Sequence, residues 1–369
     1  MTLNKQKLKS LHDSGWERVC RASSLSNDEI RCSAILIPLI FSFMMLGDFT
    51  WIASMPDALF DPPAYSPAIL VNGFPNFIVL AVLQSVLALS IAFLALGKRP
   101  LLSGSIFCAV LVTLCNFEYS FGKIDHEILP IITVFCVAVG LASSQQKKSQ
   151  LIERLFPVRA ETLLALAITF GMFTAGFEKS TNWIDFDMSE SGFLKWFYGG
   201  YLNSGRTHML AEWVPRMHPL IIESFDYIAV VFELSPLLLL LLGRPLYWRL
   251  WLTFACFFHM GNLVFLNIAF ILSFIAYLAF LMPSRLVQFV LRKNVARVLI
   301  GVIFILAVWS VIITWTDVPS PLSLVIQGKV MMLWFRLMLW FLLGLCGIIK
   351  CIEIYRNGLG LKKRVKNSK

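Results

Sequence analysis

Runs of about twenty apolar residues, separated by short polar stretches, recur along almost the whole chain, and no other feature restricts its fold as much. A run of that length crosses roughly 30 Å of hydrocarbon as a helix. Lipid offers no hydrogen-bond partners, so each crossing must satisfy its own backbone. The composition agrees: of 369 residues, 58% are hydrophobic and 15% charged, against about 45–50% apolar and 25% charged in soluble domains. The expected fold is all-α, a polytopic integral membrane helical bundle whose spans form one body.

The runs predict spans at 33–54, 75–96, 101–118, 128–143, 161–177, 220–242, 247–263, 265–282, 298–315 and 330–351. As a single helix, 247–282 would reach about 54 Å at 1.5 Å per residue, too long for one crossing. Gly261 and Asn262 mark a turn that would divide it. Basic residues fix the parity, because cytoplasmic loops are rich in Lys and Arg. Lys98 with Arg99, Lys147 with Lys148, Arg244 with Arg249, and Arg285 with Arg292 fall in alternate loops, and both chain ends are basic. An even count with both termini cytoplasmic satisfies this pattern, hence about ten spans. The chain then divides into a cytoplasmic segment (1–32), a transmembrane domain (33–282) with an external loop at 178–219, and a C-terminal helix pair with a basic tail (283–369).

The net charge of +10 is on this reading topological. It marks the inner membrane face and anionic lipid heads, not the basic patch of a nucleic-acid binder. The first apolar run follows about 32 polar residues and is too long for a signal-peptide core. None of the eight cysteines lies in a long external loop and no CxxC pair occurs, so neither a disulfide framework nor a metal site is expected. Within the external loop, 192–202 (GFLKWFYGGYL) is aromatic and amphipathic, as a helix lying in the interface would be.

An ionisable group inside a span is costly unless it faces a partner or a cavity, so each is a functional candidate. The candidates are Asp48, Glu118, His126, Glu161, Lys179, Glu223, Asp226, Glu233 and His259, with Asn262. Asp48 reads as an interfacial residue beside Trp51, and Glu161 as an acid at a helix N-terminus, favoured by the macrodipole. Steps of three and seven put Glu223, Asp226 and Glu233 on one helical face. The first two fall near the outer interface, where water is within reach. Glu233 is mid-span, before Ser235 and Pro236, and suits a structural role at that kink as well as a chemical one. His259 and Asn262, three apart, share a face. His126, Lys179 and His259 fall toward the same, outer, side and would line one polar cavity.

Lys179 ends an apolar run, with Glu178 beside it and Trp183 four residues on. As an anchor it would extend to the interface with its charge intact. Facing a cavity between helices, desolvation would favour the neutral amine, a general base near neutral pH. Glu178 opposes this only if it pairs with the amine, and helical neighbours point about 100° apart.

The segment Ala175-Gly176-Phe177-Glu178-Lys179-Ser180-Thr181-Asn182-Trp183 resembles the small-Gly-x-x-Lys-x-x-x-Trp signature of vitamin K-dependent γ-carboxylases and their bacterial relatives, the horizontally transferred transmembrane (HTTM) domain proteins. Phe258-His259-Met260-Gly261-Asn262, continuing through Phe265 to Phe270, resembles the family's FH-x-x-N segment, and Asp125-His126-Glu127-Ile128-Leu129 its Asn/Asp-His-x-x-Leu helix start. The matches keep family order and reach from the first span to about Met282. The resemblance implies that Lys179 is a base that deprotonates a reduced quinone cofactor. It implies that His126 steadies a carbanion, and that His259 and Asn262 shape the same pocket, with Trp183 and Glu233 near the substrate. It also implies a multi-pass protein of a bacterial cytoplasmic membrane.

The chain departs from the carboxylases in having only about 17 residues after its last span, where they carry a large luminal, propeptide-binding region. Glutamate carboxylation is therefore not the expected reaction. Bacterial relatives include proteins that mature an exported toxin peptide, of the sporulation-delaying protein B type, and others that resemble membrane cyclases of prenyl-type lipids. Two readings stay open. One is a membrane enzyme with acid–base chemistry, of carboxylase-like lyase or ligase type or cyclase type, acting on a lipid, quinol or exported peptide. The other is a non-enzymatic maturation protein for a secreted peptide. A transporter fits less well, for want of an inverted repeat or paired broken helices.

Overall fold

The computed structural model describes residues 5–44, 46, 49–64, 66–121, 128–145, 159–185, 190–316, 320, 322 and 325–367. The described residues are helical, without a strand; one isolated bridge joins Asp61 to Phe121. In chain order the helices are α1 (Lys5–Ser23), α2 (Asn27–Met44), α3 (Phe77–Ala95), α4 (Pro100–Tyr119), α5 (Ile128–Gln145), α6 (Ala160–Asn182), α7 (Gly192–Ser204), α8 (Pro219–Leu241), α9 (Pro245–Leu266), α10 (Ile271–Leu281), α11 (Ser284–Val290), α12 (Lys293–Trp315) and α13 (Lys329–Asn367). Eight of them, α3–α6, α8, α9, α12 and α13, are long and apolar enough to cross a membrane.

Those eight pack in sequence as α13–α9–α8–α6–α5–α4–α3–α12. Two further apolar helices lie against several of them: α2 touches α3, α5 and α12, and α10 touches α5, α9 and α13. Lys98, Arg99, Arg159, Arg244, Arg292 and Lys293 flank helix termini at one end of the bundle, the basic end. The connection from α6 to α8 lies at the other, distal, end. Large apolar side chains such as Phe170, Val231, Leu238, Val298 and Ile305 point outward, as a lipid-facing surface requires.

Local chemistry explains the boundaries. Asn76 accepts from the Val79 N–H and starts α3, and Pro100, Pro219 and Pro245 occupy first turns, where their missing N–H is harmless. The first apolar run departs from the 33–54 expectation. Its helix begins at Asn27, because Ser26 and Glu29 form a capping box: Ser26 N donates to Glu29 Oε2 at 2.7 Å and Glu29 N to Ser26 Oγ at 3.3 Å. Helix α6 runs on to Asn182, more than a turn beyond the expected end at 177.

The 247–282 stretch does divide, but not at Gly261 and Asn262. Helix α9 continues through both and breaks at Asn267–Phe270, where Asn267 (φ 54°) and Phe270 (φ 43°) are left-handed. Asn tolerates that conformation, and its amide also exchanges hydrogen bonds with the His208 backbone at 2.7 and 2.9 Å. Trp340 Nε1 donates to the Ala269 carbonyl at 2.7 Å, so the broken backbone is satisfied from α13, as lipid demands. Helix α10 is 11 residues long, and α11 leaves it at 98° after Pro283.

The 1–32 segment is largely the helix α1, docked on the basic ends of α6, α8 and α9. Arg249, expected as a loop marker, is buried in α9 and donates to the carbonyls of Ala22 and Ser24 at the end of α1. Lys350 pairs with Glu29 in the same region.

Candidate functional site

Pro236 organises the site. It has no N–H, so the Phe232 carbonyl one turn earlier loses its helical partner. Ser235 Oγ (2.7 Å) and Trp251 Nε1 (3.3 Å) donate to that carbonyl instead. Phe232 stacks between Trp251 and Phe258, at 5.1 and 4.7 Å. With Phe232 turned to α9, Glu233 turns to α6.

There α6 approaches very closely. A Cβ on Gly176 would lie 2.8 Å from Glu233 Cβ and 3.1 Å from the backbone of Glu233 and Leu234. One turn on from Gly176, Lys179 Nζ meets Glu233 Oε1 at 2.5 Å, with the side chains 22% and 6% exposed. The Trp183 ring covers the amine, its centroid 5.1 Å from Nζ, a cation–π geometry. Glu233 Oε2 is buried without a hydrogen-bond partner. Glu178 is exposed and points elsewhere.

Glu223, Asp226 and Glu233 do share a face, but all three are buried, and water does not solvate the first two. Asp226 works as a tertiary cap. Its oxygens accept from Ser191 Oγ (2.8 Å) and Phe193 N (2.7 Å), fixing the start of α7. Gly192 then lies flush on Trp183, where a Cβ would be 2.2 Å from the indole. The stretch 192–202 is thus helical, as expected, and is pinned above Lys179 through Trp183. Asp226→Ala should release it at a cost of about 2–3 kcal/mol, the range for hydrogen bonds to a charged group. Limited proteolysis should then cut within 184–205 faster than in wild type; an unchanged rate would mean that apolar contacts alone hold α7.

His259 is a different kind of residue. It is buried, its Nε2 lies 3.1 Å from Tyr277 Oη, and the Trp340, Phe270 and Tyr277 rings enclose it at 4.7–5.6 Å. Its Nδ1 has no partner among the described residues. Asn262 supplies its backbone carbonyl to the close of α9 through Ile268 N at 3.3 Å. His126 and Asp48 lie outside the described residues.

Among the described residues, three basic side chains absent from the sequence candidates are buried in apolar helices: Arg249, Lys350 and, at its Nε, Arg336. The signal that finds them is the same, a charge inside an apolar run. Between α8 and α9 runs an apolar groove of about 540 Å³, lined among others by Tyr227, Val231, Phe232, Tyr247, Trp251 and Phe254. Among the described residues no three His, Cys, Asp or Glu side chains group to hold a metal ion. No family model, curated protein or solved structure matches this chain.

Proposed function

We propose that this chain is a membrane enzyme that moves a proton at the Lys179–Glu233 pair, on a lipid, quinol or exported peptide. The carrying observation is the 2.5 Å contact between a largely shielded amine and a buried carboxylate, with the second carboxylate oxygen unpartnered. In such surroundings the pair acts as one unit. The amine and the carboxyl group lie close enough to exchange a proton, and together they are the proton donor and acceptor available to a substrate at this point. Trp183, Gly192 and α7 exclude water from the distal side, which strengthens every electrostatic contact beneath.

The reading takes α2 and α10 as crossings beside the eight long helices, giving ten, with the basic end and both termini in the cytoplasm of a bacterial cell. It takes the chain as an HTTM-type, carboxylase-like protein, supported by the use of each motif residue: Gly176 for close approach, Lys179 for the pair, Trp183 as its cover. A reduced quinone suits the apolar groove between α8 and α9, whose lining includes neither Lys179 nor Glu233, and when bound would supply a reducing, weakly acidic hydroxyl. The residues that would hold it are Phe232, Trp251 and Phe254.

Purified protein in proteoliposomes should consume a reduced naphthoquinone in the presence of oxygen. Lys179→Ala should lower that rate, per mole of folded protein, by about a hundredfold or more, the range that a positioned base contributes. Equal rates in the two proteins would reject Lys179 as the base. The alternative, a maturation protein for a secreted peptide, draws support from the exposed aromatic face of the α6–α8 connection, with Trp196, Tyr198, Leu202 and Trp213. Crosslinks from that face to an exported peptide, with Lys179→Ala fully functional, would favour it.

A further inference from the structure

We propose that the crevice between α9 and α13 at Arg336 binds a phosphate-bearing ligand, with the Arg336 guanidinium as its counter-charge. The site does not depend on the reaction proposed at Lys179. Helix α13 faces α9 along a seam spaced three and four residues apart: Leu333, Arg336, Trp340, Leu343, Gly347 and Lys350. Every other position on it has a partner. Leu333 packs with Leu263. Trp340 lies on His259 and donates to Ala269. Leu343 is in the main core. Gly347 is flush against Thr253, and Lys350 pairs with Glu29.

Among the described residues Arg336 has neither a hydrogen bond nor an ion pair, and its Nε is buried without a partner. It lies seven residues, about 10 Å, into the helix from Lys329. An unpaired guanidinium among apolar side chains is costly enough to need a reason.

The register supplies room for one. Gly347 meets Thr253, Gly344 meets Phe257 and Trp340 meets His259, so the antiparallel pair sets Arg336 level with Val264, one turn from Gly261. A Cβ added at Gly261 would have no atom within 4 Å. Toward the distal end, a cavity of about 610 Å³ is lined by His208, Gln327, Gly328, Lys329 and Trp334, with no carboxylate among its described lining residues. Lys329 stands two turns from Arg336 on the same face of α13. Cations without acids select an anion, and the planar fork of Arg matches phosphate oxygens. The phosphate belongs to a phospholipid of the distal leaflet, entering between the helices, or to a soluble phosphate entering by the His208–Lys329 mouth.

Delipidated full-length protein in detergent should be titrated with phosphatidylglycerol, diacylglycerol and inorganic phosphate, with bound species read by native mass spectrometry. Phosphatidylglycerol should bind wild type about tenfold more tightly than Arg336→Gln, the loss expected for one charge-assisted hydrogen bond. Diacylglycerol should not distinguish the two. Binding that inorganic phosphate cannot displace identifies the lipid; saturable binding of inorganic phosphate, lost in Arg336→Gln, identifies the soluble source. Gly261→Leu, at a position where an added Cβ meets no atom within 4 Å, should weaken binding to a similar extent, which keeps the test open if Arg336→Gln folds poorly. Equal binding of phosphatidylglycerol and of phosphate by wild type and the folded variants would overturn the proposal.

Discussion

Lys179→Met should lower the stability of the detergent-solubilised protein by about 2–4 kcal/mol, and adding Glu233→Met to it should restore most of the loss. Breaking a buried pair from one side leaves an uncompensated charge, whereas replacing both members with apolar groups of similar volume is close to neutral. The size is bounded. Stripped of its cation, Glu233 escapes the penalty by binding a proton, and at pH 7 that costs about 4 kcal/mol from a reference carboxyl pKa near 4.3. The loss relative to wild type therefore shrinks in acid. Glu233→Met alone should cost less, about 1–2 kcal/mol, because Lys179 is in the last turn of α6 and 22% exposed, so its chain can extend toward water. Melting curves of the four proteins make a double-mutant cycle. Additive losses would mean that the two groups do not act as a unit, and the proton-sharing argument would fall with them.

How much of this was legible beforehand depended on distance along the chain. The 75–96, 101–118, 128–143 and 220–242 runs became α3, α4, α5 and α8 with ends shifted by at most two residues, because an apolar run closed by Gly, Pro or Arg contains its own boundaries. The common face of Glu223, Asp226 and Glu233 was equally local. The 265–282 run became α10, but only over Ile271–Leu281, because the break at Asn267–Phe270 that precedes it is held by Trp340 and His208, remote in sequence. The site divides in the same way. Lys179, Trp183 and Glu233 were each recognisable as costly or patterned residues. That Lys179 takes Glu233, 54 positions away, and not the adjacent Glu178, follows from the Gly176 approach and the Pro236 kink together. His259 looked like a pocket histidine and is enclosed by aromatic rings; only the packing of α10 and α13 around α9 reveals that.

The approach of α6 to α8 also yields the second large effect. Gly176→Leu should prevent accumulation of folded protein, and Gly176→Ala should destabilise it by about 1–2 kcal/mol. In an open helix Ala is preferred to Gly by roughly 1 kcal/mol, so a loss must come from packing. Here the added methyl would meet Glu233 Cβ at 2.8 Å and the backbone of Glu233 and Leu234 at 3.1 Å. Backbone cannot rotate out of the way, so α8 must move, and overpacking of that kind costs about 1–3 kcal/mol. Moving α8 also draws Glu233 from Lys179, so Gly176→Ala should reduce the coupling between the two measured in the cycle above. Gly171, on the same helix, is the control. A Cβ there has no atom within 4 Å, so Gly171→Ala should stabilise by up to about 1 kcal/mol from helix propensity alone. If Gly176→Ala melts as high as Gly171→Ala, the helices have room to part, and the close approach is not what holds the Lys179–Glu233 pair together.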